Sequence, residues 1–216
     1  MTHTRIKLCG MTRAEDVRLA VELGVDYVGL VFAPRSPRHL SLDQARMLRG
    51  LVPAEVAVVA LVMDGAAADI QAVVDQVRPD LLQFHGAEDD AFCASFGLPF
   101  FKSVAMGDGD ADARNAASAY PSSYGLVLDG HGPGEAGGSG QRFDWTRSPR
   151  GLGKRFLLAG GLNADNVGLA IRTARPWGVD VSSGIERAPG VKQGEQMRFF
   201  VEESRRADSR QDHGQD

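Results

Sequence analysis

The sequence predicts a single-domain α/β fold, a (β/α)8 or TIM barrel, and three observations predict it. Eight short β-rich apolar runs alternate with amphipathic helical patterns along the chain. The 216 residues fall at the compact end of the roughly 200–400 used by that architecture. The first strand is followed by Cys9-Gly10-Met11-Thr12, where a doubly wound open sheet would normally carry Gly-x-Gly-x-x-Gly. Strands alternating with helices imply right-handed βαβ units and a parallel sheet, and eight such strands can close on themselves.

The first strand is read at residues 6–10, with a helix at 13–23 after the turn. The next pairs are strand 27–32 with helix 42–51, strand 56–63 with helix 66–77, strand 81–85 with helix 88–96, and strand 100–106 with helix 111–119. Strand 125–129 runs into a long Gly-rich insert at 130–140, after which Asp144 is a candidate N-cap for a short helix containing Trp145. Strand 155–160, helix 164–173, strand 179–183 and a last helix at 194–206 complete the series. Residues 207–216 are polar without periodicity and are expected to form a disordered tail, leaving 1–206 as the domain.

Composition narrows the class. An apolar fraction of 43% and a charged fraction of 24% describe an ordinary water-soluble protein. A net charge of -4 without a basic stripe argues against a nucleic-acid surface. The longest apolar stretch, 56–63, is too short to span a bilayer, and the first ten residues lack the pattern of a cleaved leader. Cys9 and Cys93 show neither disulfide nor zinc spacing, so reduced thiols and a cytoplasmic location are expected. No cluster of His, Cys and Asp has ligand spacing, and no metal or organic cofactor is expected.

Barrel enzymes carry their chemistry at the C-terminal ends of the strands. Here those ends are Cys9, the loop holding Arg35 and Arg38, His85, Asp129, Gly160-Gly161 and Ser182-Ser183-Gly184. A thiol, a carboxylate and small residues stand where more Val and Leu would simply prolong a core. Cys9 alone would suit a small buried apolar residue, as Cys93 does within its helix, and Asp129 alone would suit a turn or cap.

Six motifs in chain order make the reading specific. They are Lys7-Leu8-Cys9-Gly10-Met11-Thr12, Phe32-Ala33-Pro34-Arg35-Ser36-Pro37-Arg38, Gln83-Phe84-His85-Gly86, and Leu128-Asp129 with Gly137-Gly138-Ser139-Gly140 and Phe143-Asp144-Trp145. Leu158-Ala159-Gly160-Gly161-Leu162 and Val179-Asp180-Val181-Ser182-Ser183-Gly184-Ile185-Glu186 complete the set. Together they resemble the phosphoribosylanthranilate isomerase family over residues 5–200, with Phe84 for the family's Leu and Ser139 for its more common Thr.

The resemblance implies an Amadori rearrangement of N-(5-phosphoribosyl)anthranilate in tryptophan biosynthesis, with Asp129 as general acid and Cys9 as general base. Arg38 is implied to pair with the anthranilate carboxylate, a task suited to a planar guanidinium. Arg35 is read as surface charge. His85 is a candidate pocket residue, with a structural histidine satisfied by backbone the equal alternative. Phosphate is expected at Gly160, Gly161, Ser183 and Gly184, helped by a short helix starting near Ile185, with Gly138 and Ser139 adding donors from the sixth loop. The expected partner is thus a small phosphoribosyl molecule, with the protein a monomer or homodimer. Two alternatives are a related aminoaldose isomerase of the histidine pathway and a non-catalytic sugar-phosphate-binding barrel. The first typically has Asp in place of Cys9 and two homologous half-barrels, which residues 1–108 and 109–216 do not show.

Strand parity adds one further expectation. Lys7 shares its side with Cys9, and Asp180 shares its side with Ser182. Closure makes the first and eighth strands neighbours, so Lys7 and Asp180 are expected to form a buried ion pair beneath the site, with the ammonium helping to ionise Cys9.

Overall fold

Parallel strands covered on both faces read as near-continuous apolar runs, and all eight expected ones form. The computed structural model describes residues 3–106, 110–130 and 144–212. Its strands are β1 (Arg5–Cys9), β2 (Tyr27–Val31), β3 (Ala57–Val62), β4 (Leu81–Phe84), β5 (Phe100–Ala105), β6 (Gly125–Asp129), β7 (Phe156–Leu158) and β8 (Gly178–Val181). Each pairs in parallel with its sequence neighbour, and β1 pairs with β8 to close the barrel. Several strands stop before the expected end because the last residues turn out into the rim. Gly160 and Gly161 have φ of 81° and 62°, which no strand can continue through.

The outer face of the barrel packs Ile6, Leu8, Val28, Leu30, Val58, Leu82 and Phe84 against helical residues such as Val17, Ala20, Ile70 and Val73. Inside, Tyr27, Val59, Leu81, Phe101, Val127 and Leu157 fill the barrel. Trp177 packs its ring against Tyr27, Phe101 and Tyr124 there.

The helices are α1 (Ala14–Glu22), α2 (Leu42–Arg49), α3 (Ala67–Val77), α4 (Asp90–Ala94), α5 (Asp110–Ala119), α6 (Val167–Ala174) and α7 (Gly194–Asp212). Ser41 and Gln44 start α2 with a reciprocal capping box. Between β6 and β7 the described helical element is a single 3-10 turn, Trp145–Arg147, and Asp144 caps it as expected by accepting from the Thr146 amide at 2.9 Å.

Two corrections concern the C-terminal part. Helix α7 runs on to Asp212, past the expected end at 206, so residues 207–212 are helix rather than a disordered tail. Ala207 is buried in the core, and Asp208 accepts hydrogen bonds from the Thr4 amide and hydroxyl, anchoring this turn to the start of β1. The short helix expected to start near Ile185 is a single 3-10 turn, Ser183–Ile185, that begins two residues earlier, and the chain then forms a small antiparallel hairpin, β9 (Glu186–Ala188) with β10 (Val191–Lys192). Gly190, at φ 78°, supplies the left-handed residue of its turn.

Candidate active site

The C-terminal strand ends converge on two adjoining compartments. One is lined by Cys9, Arg38, His85, Asp129 and Ser182 together with the apolar Val31, Ala33, Leu61 and Met63. The other is lined by Asp129, Gly160, Gly161, Leu162, Asp180, Ser182 and Ser183. Asp129 and Ser182 belong to both, so the carboxylate of β6 stands where the compartments meet, while Cys9 faces only the first. Seven sequence-predicted residues, Cys9, Arg38, His85, Asp129, Gly160, Gly161 and Ser183, are thus brought together around one site, with Arg38 and His85 at one end and the Gly160-Gly161 turn at the other. Gly138 and Ser139 lie outside the described residues.

Space for the thiol is built into the neighbouring strand. Gly29 is the register partner of Cys9, and a Cβ at Gly29 would sit 2.6 Å from Cys9 Sγ. Gly29→Ala is therefore expected to displace the sulfur and cut kcat at least about tenfold, with a far-UV spectrum like wild type; unchanged turnover would mean that the thiol has another place to go. Gly10, at φ 75°, likewise leaves room for the Arg38 side chain. At Gly184 a Cβ would collide with the carbonyl of Leu162, so the loops after β7 and β8 meet backbone to backbone. The helical element at that corner is the single 3-10 turn Ser183–Ile185, packed closely against loop backbone.

Arg38 differs from its expected state. Its guanidinium is buried and donates from Nε and Nη2 to Glu186 Oε1 and Oε2 at 2.8 and 2.7 Å. Glu186 also accepts from Lys192 Nζ at 2.7 Å. Burial works to raise the Glu186 pKa, but Arg38 and Lys192 outweigh it and hold the carboxyl below the ordinary Glu value. The network therefore stands through the neutral range and is lost only as pH falls below the ordinary carboxylate range. Arg38 still lines the cavity, with part of its guanidinium engaged by Glu186. Arg35 is exposed, as expected.

Beneath the site lies the anticipated ion pair. Lys7 and Asp180 are register partners on β1 and β8, and Lys7 Nζ donates to Asp180 Oδ2 at 2.8 Å with the lysine fully buried. Burial opposes both charges. For Lys7 the attraction of Asp180 and Cys9 outweighs it, and the ammonium titrates above the ordinary lysine value. Asp180 Oδ1 has no hydrogen-bond partner among the described residues.

His85 is half-buried at the rim, and the loop after it is clamped from below. Glu88 accepts from the amides of Asp64 and Gly86 and from Lys102 Nζ, at 2.7, 3.0 and 3.0 Å. Gln83 is buried and donates to Ser103 at 3.0 Å. Cys93 lies fully buried in α4, where burial pushes its thiol up to about 12, consistent with a packing role.

The sequence reading assigned no role to Gly29, Glu186 or Lys192. Gly29 carried a visible signal, a lone glycine within an otherwise apolar strand. Glu186 and Lys192 flank a Pro189-Gly190 turn, and only the fold shows that this hairpin folds back over the strand ends.

A thiol and a carboxylate facing one water-restricted cavity, with a ring of loop backbone alongside, define a (β/α)8-barrel enzyme of acid/base chemistry, an intramolecular isomerase. The family model described as N-(5'-phosphoribosyl)anthranilate (PRA) isomerase matches residues 6–203. The N-(5'-phosphoribosyl)anthranilate isomerase of Xanthomonas campestris pv. campestris is 56% identical over 211 residues, covering 95% of each chain. A phosphoribosyl anthranilate isomerase solved in complex with reduced 1-(o-carboxyphenylamino)-1-deoxyribulose 5-phosphate is 30% identical, with a TM-score of 0.79 over 93% of this chain and 98% of that one. Monomers of the dimeric enzyme from Thermotoga maritima superpose with a TM-score of 0.79 at 31% identity, over the same shares of the two chains. This chain belongs to the N-(5'-phosphoribosyl)anthranilate isomerase family.

Proposed function

We propose that this chain converts N-(5'-phosphoribosyl)anthranilate to 1-(2-carboxyphenylamino)-1-deoxyribulose 5-phosphate, an Amadori rearrangement in tryptophan biosynthesis, with Asp129 as general acid and Cys9 as general base. The observation that carries the assignment of roles is the placement of Asp129 at the junction of the two compartments with Cys9 in the first. The substrate spans both. Its anthranilate ring lies against Leu61 and Met63, with the carboxylate toward Arg38 and His85. Its phosphate lies against the backbone of Gly160, Gly161, Ser183 and Gly184, and the ribose falls between.

Asp129 gives its proton to the furanose oxygen, and the ring opens to a Schiff base. Cys9 thiolate then removes the proton from C2, leaving an enolamine that tautomerises to the ketone. No atom is lost or gained, so proton transfer and positioning are the whole task. Asp129 must hold its proton near neutral pH although free Asp titrates at about 3.9, and the neighbouring Asp180 together with the bound phosphate and carboxylate supply negative charge for this. Asp180 Oδ1, buried without a partner, is an acceptor for a sugar hydroxyl. Among the described residues no group of three or more His, Cys, Asp and Glu could hold a metal ion.

We place the reaction in the cytoplasm, supported by two free thiols, Cys9 and Cys93. Among the described residues no helix is long and apolar enough to cross a membrane. The protein works as a monomer or homodimer on a small phosphoribosyl substrate, without nucleic acid. Incubating purified protein with freshly made phosphoribosylanthranilate and following loss of substrate fluorescence tests the reading. Rapid turnover is expected; well-folded protein that binds a phosphate analogue without turnover would make it a binding module instead.

The phosphate corner has its own test. Gly184→Ala forces apart the loops after β7 and β8 and is expected to raise KM at least about tenfold, equivalent to about 1.4 kcal/mol of lost binding. Steady-state kinetics check this, and an unchanged KM would move the phosphate elsewhere.

A further inference from the structure

Lys192 is the strongest buried cationic feature that the proposed chemistry leaves unused. It sits on β10, almost wholly inaccessible, and its backbone is fixed to the start of α1, with Arg13 donating to its carbonyl at 3.1 Å. Its Nζ donates to the Cys9 carbonyl at 2.5 Å, the Ser182 carbonyl at 3.1 Å and Glu186 Oε1 at 2.7 Å. The Ser182 hydroxyl lies 3.4 Å away as a further contact, and although burial lowers the Lys192 pKa, Glu186 works against it in favour of the ammonium. Two of the Nζ acceptors are backbone carbonyls at the ends of β1 and β8, the strands that close the barrel.

A count of charges around Cys9 shows what this ammonium adds. Lys7 on β1, Arg38 after β2 and Lys192 on β10 all interact electrostatically with Cys9. Against them stand two carboxylates, Asp180 on Lys7 and Glu186 shared by Arg38 and Lys192. One positive charge is left unbalanced, and it is on the Cys9 side. From β3 the facing groups are the uncharged Leu61 and Met63; His85 and Asp129 complete the cavity. Asp129 interacts with the carboxylate of Asp180. With the proton on Asp129 and the thiol ionised, the buried cluster is neutral.

We propose that Lys192 is a positioning residue for the isomerisation, pinning the carbonyl of Cys9 and supplying the unbalanced positive charge that keeps the Cys9 thiol ionised. The proposal rests on the reading of Cys9 as general base. Glu186 divides its charge between Lys192 and Arg38, so its removal acts in the opposite direction, strengthening the field at Cys9. A merely structural role for the hairpin has no such sign.

The test is a thiolate titration by ultraviolet absorbance, taken as the difference from Cys9→Ser. Burial pushes Cys93 up to about 12, so it stays silent across the neutral range. Lys192→Met, close in volume, is expected to raise the half-point of Cys9 ionisation by about one pH unit, a tenfold loss of thiolate at a fixed lower pH. Its kcat should fall by the same factor at that pH and recover at higher pH, with KM unchanged. Glu186→Gln is expected to lower the half-point. An unmoved half-point in folded Lys192→Met, or the same direction of change in both variants, overturns the proposal. Should Lys192→Met not fold, Glu186→Gln decides alone: a fall supports the proposal, and no change or a rise overturns it. Wild-type turnover by Cys9→Ser would instead overturn the assignment of the base, a result separate from the titration.

Discussion

Cys9→Ser and Asp129→Asn are each expected to lower kcat by about 10²–10⁴-fold, the usual range for removing a positioned acid or base. The two losses have different origins. Serine keeps the size of the side chain, but its hydroxyl does not ionise near neutral pH, so C2 keeps its proton. Asparagine keeps the shape of Asp129 but has no acidic proton for the ring oxygen. Neither residue is assigned to hold phosphate or carboxylate, so KM should change little. Steady-state fluorescence kinetics with far-UV spectra as a folding control check both. A folded Asp129→Asn variant with more than about a tenth of wild-type kcat would remove the acid from the scheme, leaving the assignment of Cys9 to be judged separately.

Lys7→Met is expected to destabilise the protein by about 3–5 kcal/mol, because Asp180 would be left as a buried carboxylate without its counter-ion. The wild-type pair does not itself make the barrel more stable than a well-packed apolar substitute. Adding Asp180→Leu to Lys7→Met should therefore restore most of the lost stability. It should not restore turnover, because the ammonium beneath Cys9 and the carboxylate beside Asp129 would both be gone. Urea unfolding of the single and double variants measures the first expectation, and their kcat the second. A double variant no more stable than Lys7→Met would mean that the space between β1 and β8 does not accept apolar groups.

The barrel was legible because each strand is buried on both faces and each helix on one, so the apolar pattern changes period at every junction. The Lys7–Asp180 pair was legible because parity and closure are geometric rules, independent of packing detail. Other features depend on contacts between residues far apart in the chain. Nothing local in the sequence from Ser204 to Asp208 shows that Ala207 is core or that Asp208 caps the start of β1. Arg38 was readable as a site cation, but its partner Glu186 lies 148 positions away. The short helix expected near Ile185 is limited to one 3-10 turn because a Pro-Gly turn four residues on draws the following segment into a hairpin, and hairpins with two- or three-residue strands have little periodicity to read. For Gly184 the sequence suggested close backbone approach to a ligand, and the structure shows that the same glycine is also required by the Leu162 carbonyl.

The seam between the first and last strands also sets when the site comes into being. Lys7 waits 173 positions for Asp180, and the carbonyl of Cys9 waits 183 for Lys192. During synthesis the first strand therefore carries an uncompensated lysine, destined for a dry interior, until almost the whole chain has been made. A nascent chain lacking β8 and the hairpin has no low-energy place for that ammonium except in water, which holds β1 at the surface and the barrel open. The site and the closed barrel thus share the same requirement, the last strand and the hairpin that follows it.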